Sequence, residues 1–275
     1  MNEPILLDQR NSVNLAFSKQ ATHYDADDQS NFILTDLRQQ VYEHVQKFIK
    51  PQSRILELNA GTGIDASHFV ELGHRVHATD LSEGMIKQIQ QKIEENRWKE
   101  KLTCQMLSYD QLNLVHGKFD YVFSNFGGLN CIQDLGLVTR SLPELLNKGA
   151  YVTWVVMPPV CPWELAGVFK GRFSKSFRRY NSNGVTSHLE GHYFKTYYHS
   201  LNAIRKIFGP SFQFIKSEAL AVISPPPHRG DLPVKHGQLY RLLRSLDQTV
   251  RHIFPFNRWG DHIILTFRFS GETER

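Results

Sequence analysis

The apolar residues of this chain follow two spacings that predict alternating helices and strands. Leu34, Leu37, Val41 and Val45 recur every three or four residues, which predicts a helix that ends before Pro51. Beyond Pro51, short apolar runs predict strands, and helical periods lie between them. The predicted strands cover residues 55–58, 75–79, 102–106, 121–124 and 150–156, and the predicted helices cover 64–72, 82–96 and 132–146. Strands that alternate with helices favour a parallel sheet wound on both sides.

The alternation ends at Pro158 and Pro159. We expect residues 161–198 to form an insertion over the mouth of the sheet. Further along the chain, the spacing predicts helices over 200–208 and 239–253 and strands over 212–223 and 262–269. Ligands of doubly wound sheets bind beyond the carboxyl ends of the strands. Four polar residues fall at such ends, namely Glu57, Asp80, Ser108 and Asn125.

Composition narrows the class of protein. A chain of 275 residues with 41% hydrophobic content can bury a full core. The first ten residues lack the apolar stretch of a signal peptide, and the apolar run at 151–160 is too short to span a bilayer. The three cysteines, Cys104, Cys131 and Cys161, form no metal-binding pattern. We therefore expect a cytoplasmic protein with no integral membrane segment and no metal site.

The charge is unevenly distributed. Residues 161–260 carry 15 Lys or Arg against 5 Asp or Glu, whereas the whole chain has a net charge of +5. This asymmetry separates a basic second half from a neutral or acidic first half.

Glycines and acids cluster where the first predicted strand meets the next helix. Gly61 and Gly63 let the backbone approach a ligand closely, with the helix N-terminus pointing at it. Together with Ala66 they also fit the Gly-x-Gly-x-x-Ala pattern of nicotinamide dinucleotide sites. Glu57 inside the strand and Asp65 at the helix start argue against that ligand, because an acid repels a pyrophosphate. An acid there suits a ligand that carries an ammonium or sulfonium charge.

The segment Glu57-Leu-Asn-Ala-Gly-Thr-Gly63, with Asp80 ending the second strand, resembles the cofactor site of class I S-adenosylmethionine-dependent methyltransferases. Ser108-Tyr109 after the third strand and Phe119-Asp-Tyr-Val-Phe-Ser-Asn125 through the fourth agree with the same family. Asn59 stands where the family often has a glycine, and Ser108 where it often has an acid. The resemblance covers roughly residues 15–160 and implies S-adenosylmethionine as the cofactor.

The resemblance also implies a fold and a domain arrangement. It predicts an α/β protein with a doubly wound, mostly parallel, seven-stranded sheet of the Rossmann-like methyltransferase type, and a lid insertion after the fifth strand. We assign residues 1–29 to an N-terminal closing segment and residues 158–209 to the lid that shapes the acceptor site. Residues 30–157 and 210–275 then form the cofactor-binding domain.

The family motifs assign roles to individual residues. Glu57 would organise the glycine loop, Asp80 would bind the ribose hydroxyls, and Ser108 and Tyr109 would contact the adenine. The predicted cofactor-binding residues are Tyr24, Arg38, Glu57, Asn59, Ala60, Gly61, Thr62, Gly63, Asp65, Asp80, Leu81, Met85, Leu107, Ser108, Tyr109, Asn125 and Phe126.

Four of these residues have structural alternatives. Glu57 would be a surface acid if its strand lay at the sheet edge, and Asp80 would cap the helix that begins near Ser82. Tyr24 and Arg38 are candidates for the cofactor carboxylate, and an Arg suits a bidentate grip. Their alternatives are packing of a mobile N-terminal helix for Tyr24 and a solvated helix face for Arg38.

On the acceptor side we predict contacts from Phe17, Gly127, Asn130 and Trp163. Methyl transfer from a sulfonium requires mainly alignment, and a general base only for a poorly ionised acceptor. The weak candidates for such a base are His192, Tyr197, Tyr198 and His199, in a segment expected to form a lid hairpin.

Three aromatic residues of the lid, Phe169, Phe173 and Phe177, are four residues apart and predict one face of a helix, with Lys and Arg residues between them. The helix either packs on its own domain with a solvated basic side, or presents a basic amphipathic surface to an anionic membrane or an acidic carrier protein. Nucleic acid is disfavoured, because no recognised binding module is present.

We therefore predict methyl transfer to a small, largely apolar or aromatic acceptor. Lipid-like and carrier-bound molecules are among the candidate acceptors. The competing hypothesis is a non-catalytic or regulatory S-adenosylmethionine-binding module.

Overall fold

The computed structural model describes residues 3–271, with side chains described from Asp8 onward. Helices and strands alternate through the first half of the chain. The β-strands of the described residues are β1 (Arg54–Leu58), β2 (Arg75–Asp80), β3 (Leu102–Met106), β4 (Phe119–Ser124), β5 (Leu146–Val156), β6 (Val185–Leu189), β7 (His192–Thr196), β8 (Phe212–Leu220) and β9 (His262–Phe269). The α-helices are α1 (Glu3–Gln20), α2 (Tyr24–Ser30), α3 (Phe32–Val45), α4 (Ile64–Glu71), α5 (Glu83–Glu95), α6 (Gly136–Thr139), α7 (Leu142–Leu145), α8 (Pro162–Leu165), α9 (Phe173–Ser176), α10 (Leu201–Phe208), α11 (Asp231–Lys235) and α12 (Gly237–Val250).

Seven strands form one sheet in the order β3-β2-β1-β4-β5-β9-β8. Strands β1 to β5 run parallel, and β9 pairs antiparallel with both β5 and β8. The predicted doubly wound, mostly parallel, seven-stranded fold is confirmed. The strand order reverses between β1 and β4, and such a reversal is where open α/β sheets bind ligands.

Both faces of the sheet are buried. On one face, Trp154, Phe208 and Phe267 belong to one apolar cluster, in which the rings of Phe208 and Phe267 stack with centroids 3.9 Å apart. On the other face, α3 and α4 pack against strand residues such as Phe123. Because Phe208 lies in α10, this helix packs on the sheet, although the proposed lid boundary at residue 209 includes it.

The helix predicted over residues 132–146 is wrong in its length. Asp134 Oδ1 accepts a hydrogen bond from Gly136 N at 2.8 Å, and α6 ends after a single turn. Pro143 has no backbone N–H to continue the helical ladder, so a second short helix, α7, begins at Leu142 with Pro143 in its first turn. The following strand, β5, starts at Leu146, earlier than the residue 150 we expected.

The single lid helix carrying Phe169, Phe173 and Phe177 is also wrong. Residues 166–170 form a 3₁₀ turn, Gly171 adopts a left-handed conformation with φ +70°, and α9 begins at Phe173. The three phenylalanines are exposed, so this segment does not pack its aromatic side on its own domain. A hairpin does form in the lid, where β6 and β7 pair antiparallel across Glu190 and Gly191.

The first helix crosses the mouth of the sheet. Gln9 donates through Nε2 to the carbonyl oxygens of Lys195 at 2.8 Å and Cys131 at 3.2 Å. Further along α1, Gly84 N donates to Ser18 Oγ at 3.0 Å and joins α1 to α5. No helix within residues 3–271 is long and apolar enough to cross a membrane.

Candidate functional site

A cavity of about 310 Å³ lies at the carboxyl edge of the sheet, beside the reversal between β1 and β4. This volume is in the range of small-molecule sites. Loops that follow the first four strands form its floor, and α1 and the end of the β6–β7 hairpin cover it. Every predicted cofactor-binding residue lines the cavity except Glu57 and Gly63.

The loop after β1 is built from left-handed backbone. Asn59, Gly61 and Gly63 have φ values of +47°, +57° and +82°. At Gly63 an added Cβ would lie 3.0 Å from Ile89 Cγ1, so a side chain there would press on α5. Glycine relieves both the conformational and the steric cost, and the loop can curl tightly into α4.

Asn59 replaces the expected glycine with a residue that tolerates positive φ. Its Nδ2 donates to the carbonyl oxygen of Asn125 at 3.0 Å, and its Oδ1 accepts from Ser124 Oγ at 2.6 Å. An added Cβ on Gly128 would overlap the Asn59 side chain at 2.3 Å. Asn59 therefore ties the β1 and β4 loops together, and Gly128 leaves room for it.

Asp80 holds the floor of the cavity at the end of β2. Its Oδ2 accepts from Gly61 N at 2.8 Å, and its Oδ1 accepts from Ser82 N at 2.8 Å. Burial raises the pKa of Asp80 to about 6, and the backbone N–H groups partly oppose that rise. Ser82 itself caps α5 by accepting from Met85 N, so Asp80 supports the cap without replacing it.

Glu57 is buried inside β1, so the alternative of a surface acid is wrong. Its Oε2 has no hydrogen-bond partner among the described residues. Burial, reinforced by the nearby Asp65, holds the pKa of Glu57 well above its ordinary value. The carboxyl lies beneath the glycine loop and does not reach the cavity surface.

Arg38 is buried at the inner end of the cavity, so a solvated helix face is wrong for this residue too. It donates to Asp65 Oδ1 and to Asp28 Oδ2, each at 2.5 Å. Although burial lowers the pKa of Arg38, Asp65, Tyr42 and Asp28 hold it well above its ordinary value. Its guanidinium also lies 4.8 Å from the centroid of the Phe126 ring.

Asp65, on α4, connects to α3 and to the loop after β4 at this end. Besides Arg38, it accepts from Tyr42 Oη at 2.6 Å and from Asn125 Nδ2 at 3.0 Å. The two carboxylates of Asp28 and Asp65 face a single guanidinium, so one negative charge is in excess. An excess of negative charge at the inner wall fits a ligand that carries an ammonium or sulfonium group.

The inner wall also keeps unused hydrogen-bonding capacity. Arg38 Nε has no partner within the described part of the chain, and a buried N–H of this kind is costly unless something fills the site. Tyr24 lines the same region, and burial raises its pKa to about 12, so its phenol stays protonated and able to donate. Two donors beside two acids suit a zwitterionic amino-acid group.

The predicted acceptor-side residues separate into two groups. Phe17 and Gly127 line the cavity. Asn130 is buried behind it, where Nδ2 donates to the carbonyl oxygen of Met157 at 3.0 Å and Oδ1 accepts from Met157 N at 2.9 Å. Trp163 lies elsewhere and donates through Nε1 to the carbonyl oxygen of Ile223 at 3.0 Å.

The four base candidates are also divided. Only Tyr197 reaches the cavity, and burial raises its pKa. Tyr198 lies under Arg179, with 5.0 Å from Arg179 Cζ to the ring centroid. His199 Nε2 is 3.0 Å from the carbonyl oxygen of Ile132, and His192 lies on β7 outside the cavity wall. No histidine of residues 8–271 lines the cavity.

Many of the residues that line and cover the cavity were not predicted from the sequence. Gln9 and Val13 precede Phe17 by two turns and one turn of α1, so helical spacing from Phe17 would have found them. Met157, Phe194 and Lys195 had no such signal. The remaining lining residues that we did not predict are Arg10, Ile64, Thr79, Asp110, Leu112, Gly128, Cys131, Ile132, Gln133, Leu137 and Thr196.

Comparison with known proteins identifies the part of the chain that builds the floor of the cavity. A family profile described as "Methyltransferase domain" matches residues 55–149. These residues carry the glycine loop, Asp80, Tyr109 and Asn125. Residues 55–149 form a class I S-adenosylmethionine-dependent methyltransferase domain.

One curated relative matches part of the chain. The chain is 29% identical over 110 residues to a ribosomal protein L11 methyltransferase from Desulfitobacterium hafniense. The match covers 39% of this chain, and the chain spans about 35% of the length of that relative.

Solved structures share the fold over most of the chain. A magnesium protoporphyrin IX methyltransferase from Synechocystis with bound SAH superposes with a TM-score of 0.57 at 17% identity, covering 96% of this chain and 100% of the other. A methyltransferase from Methanosarcina mazei superposes with a TM-score of 0.58 at 12% identity, covering 84% and 99%. The arrangement around the methyltransferase domain is therefore shared with proteins of distant sequence.

Proposed function

We propose that this chain transfers a methyl group from S-adenosylmethionine to a small, largely apolar or aromatic acceptor. The observation that carries the proposal is the continuity of one cavity. It extends from the glycine loop and Asp80 past Phe126 to an apolar wall supplied by α1, Met157 and Phe194. A cavity with a cofactor end and an apolar end has room for two reactants.

At the cofactor end, Asp80 would accept hydrogen bonds from the ribose hydroxyls with the lone pairs that Gly61 N and Ser82 N leave free. Tyr109 and Leu107 would contact the adenine. The amino-acid group would lie between Arg38 and Tyr24 on one side and Asp65 on the other. Glu57 would act from below, by supporting the glycine loop.

At the acceptor end, Phe17, Phe194 and Met157 would exclude water and hold the acceptor in line with the sulfonium. Alignment of the two reactants is worth several kcal/mol of the barrier. Because the wall holds no histidine between residues 8 and 271, an acceptor atom that is already nucleophilic fits this site best. Lys195 lines the cavity and would favour an acceptor with an anionic end, whereas Arg10 is already paired with Asp110.

Calorimetry with S-adenosylhomocysteine and with NAD tests the cofactor assignment. We expect binding of S-adenosylhomocysteine and no response to NAD. A screen of apolar and aromatic acceptors, measured by release of S-adenosylhomocysteine, then tests the transfer. Binding of NAD without binding of S-adenosylhomocysteine would contradict the proposal, and cofactor binding without any acceptor would favour the non-catalytic module.

A further inference from the structure

The segment between β5 and the hairpin exposes three large aromatic side chains. Phe169, Phe173 and Phe177 are 92%, 60% and 51% exposed. Phe169 lies in a 3₁₀ turn, Phe173 begins the one-turn helix α9, and Phe177 follows that helix. Placing this much aromatic surface in water is unfavourable, and large exposed apolar surface of this kind marks interaction sites.

Cations without acidic partners surround these aromatics. Lys170, Arg172 and Lys175 are exposed, and none of them forms an ion pair with the residues that the structure describes. In contrast, Arg178 and Arg179 both donate to Glu164, so their charges are partly neutralised within the fold. The patch therefore carries a net positive charge beside its aromatic surface.

A second segment repeats the combination. In α12, Tyr240 and Asp247 point inward, whereas Leu239, Leu242 and Leu246 are exposed along one stripe. Arg241 is exposed on this helix and forms no ion pair within the described range. Just beyond α12, the exposed apolar surface continues at residues Ile253 and Phe254.

The two segments lie side by side at the edge of the sheet that holds the cavity. They follow β5 and β8, whose carboxyl ends share that edge because β9 runs antiparallel to both. Trp163 Nε1 donates to the carbonyl oxygen of Ile223 at 3.0 Å, and Ile223 N donates to Asp247 Oδ1 at 2.7 Å. These contacts join the first segment to the middle of α12.

We propose that residues 169–180 and 239–254 together form a docking surface for an anionic lipid bilayer. Protruding Phe and Leu side chains can enter the boundary between headgroups and acyl chains, while Lys and Arg contact anionic headgroups. A bilayer accepts isolated protruding side chains, whereas a folded partner would need pockets to receive each of them. The surface goes beyond the proposed methyl transfer and does not depend on it.

Flotation of the full chain with vesicles tests the surface without any cofactor or acceptor. The probes are vesicles of phosphatidylcholine and vesicles with about one-third phosphatidylglycerol, at about 0.1 M salt and at about 1 M salt. We expect binding to the anionic vesicles only, and we expect high salt to weaken it. Phe169→Ser with Phe173→Ser should reduce partitioning at least about tenfold, because inserted apolar surface is lost. Lys170→Gln, Arg172→Gln and Lys175→Gln together should reduce it by about fivefold for each charge removed.

Matched variants at the opposite edge of the sheet serve as controls. Lys99→Gln, Lys101→Gln and Lys118→Gln remove three exposed charges, and Leu72→Ser removes an exposed apolar side chain. These variants should bind vesicles within about twofold of the unchanged chain. Absence of binding to anionic vesicles, or equal losses in the control variants, would overturn the proposal. Two other results would also overturn the proposal if vesicle binding is absent. They are self-association in solution and binding to an acidic acyl carrier protein, in either case abolished by the Phe169 and Phe173 substitutions.

Discussion

Asp80 serves two backbone segments through one carboxylate. It accepts from Gly61 N in the glycine loop and from Ser82 N at the start of α5. Each oxygen keeps a lone pair, so a ligand hydroxyl can be accepted without breaking either contact. Its position at a strand end, outside the apolar core, lets its role in binding be measured separately from its role in folding.

Replacing Asp80 by Ala should lower the affinity for S-adenosylhomocysteine by about 2–4 kcal/mol, because charge-assisted hydrogen bonds are lost. Calorimetry measures the change, and circular dichroism shows whether the chain stays folded. Asp231→Ala, at an exposed acid of α11, is the control and should leave affinity unchanged. A folded Asp80→Ala chain with unchanged affinity would make Asp80 a structural residue only.

The pH dependence of binding should identify the same carboxyl. The pKa of Asp80 is raised to about 6, so the carboxyl is ionised at pH 7 and mainly protonated at pH 5. Protonation removes the charge that strengthens the ribose hydrogen bonds, and affinity should fall by about tenfold between these pH values. Calorimetry on Asp80→Asn should show no such fall, whereas Glu57→Gln should keep it. The reverse pattern would assign the titration to Glu57.

At the scale of elements, Gln9 is one of the side chains that hold α1 over the cavity, together with Ser18. Gln9 donates to two carbonyl oxygens, and its Oε1 accepts from Lys195 N at 2.9 Å. The amide thus joins α1 to both β7 and the 3₁₀ turn Gly128–Cys131. Cofactor entry and release then depend on how often this contact opens.

Gln9→Ala should lower the protection of α1 against hydrogen exchange by about 1–2 kcal/mol and should speed the release of S-adenosylhomocysteine about tenfold. Mass spectrometry of exchange and stopped-flow fluorescence measure the two effects. Gln91→Ala removes an exposed glutamine of α5 that bonds only to Glu95, and it should change neither quantity. Unchanged exchange in Gln9→Ala would show that the other contacts of α1, such as that of Ser18 with Gly84, hold the helix in place.

At the scale of the whole molecule, a buried charge cluster joins α3 to the far edge of the sheet. Glu218 on β8 is fully buried, with His44 Nδ1 at 3.1 Å and Lys216 Nζ at 2.6 Å, and Arg251 after α12 also contacts it. Burial raises the pKa of Glu218, but His44 and Arg251 oppose this effect and hold the pKa below its ordinary value. The carboxylate therefore stabilises the fold above pH about 4, and this contribution is lost as the pH falls.

Glu218→Gln should lower the free energy of unfolding by about 3 kcal/mol at pH 7, because Arg251 stays buried without its acid. Urea denaturation should show the difference narrowing between pH 7 and pH 3. Over this range Glu218 takes up a proton in the unfolded chain, which reduces the stability that the folded carboxylate contributes. Asp134→Asn, at an exposed acid paired with Arg140, should change stability by less than about 1 kcal/mol. A constant deficit at every pH would show that packing of the side chain, and not its charge, matters.

Much of the fold and the cofactor end of the site could be predicted from sequence because their signals are local. Strand and helix periods need only a window of residues, and the parallel direction of β1 to β5 follows from their alternation with helices. Glycines at 61 and 63 mark positions where positive φ is required within a few residues. Predictions failed where a local period conflicted with a break, as at Gly171 and Pro143.

The sequence by itself determined the sheet, the glycine loop and the acids at the strand ends, because each depends on neighbours along the chain. Only the tertiary structure decided that Arg38 is buried between Asp28 and Asp65, and that Gln9 reaches Lys195, 186 residues away. A helical period shows that a face exists but not what covers it. For that reason the cover of the cavity and the exposure of Phe169 follow from long-range packing alone.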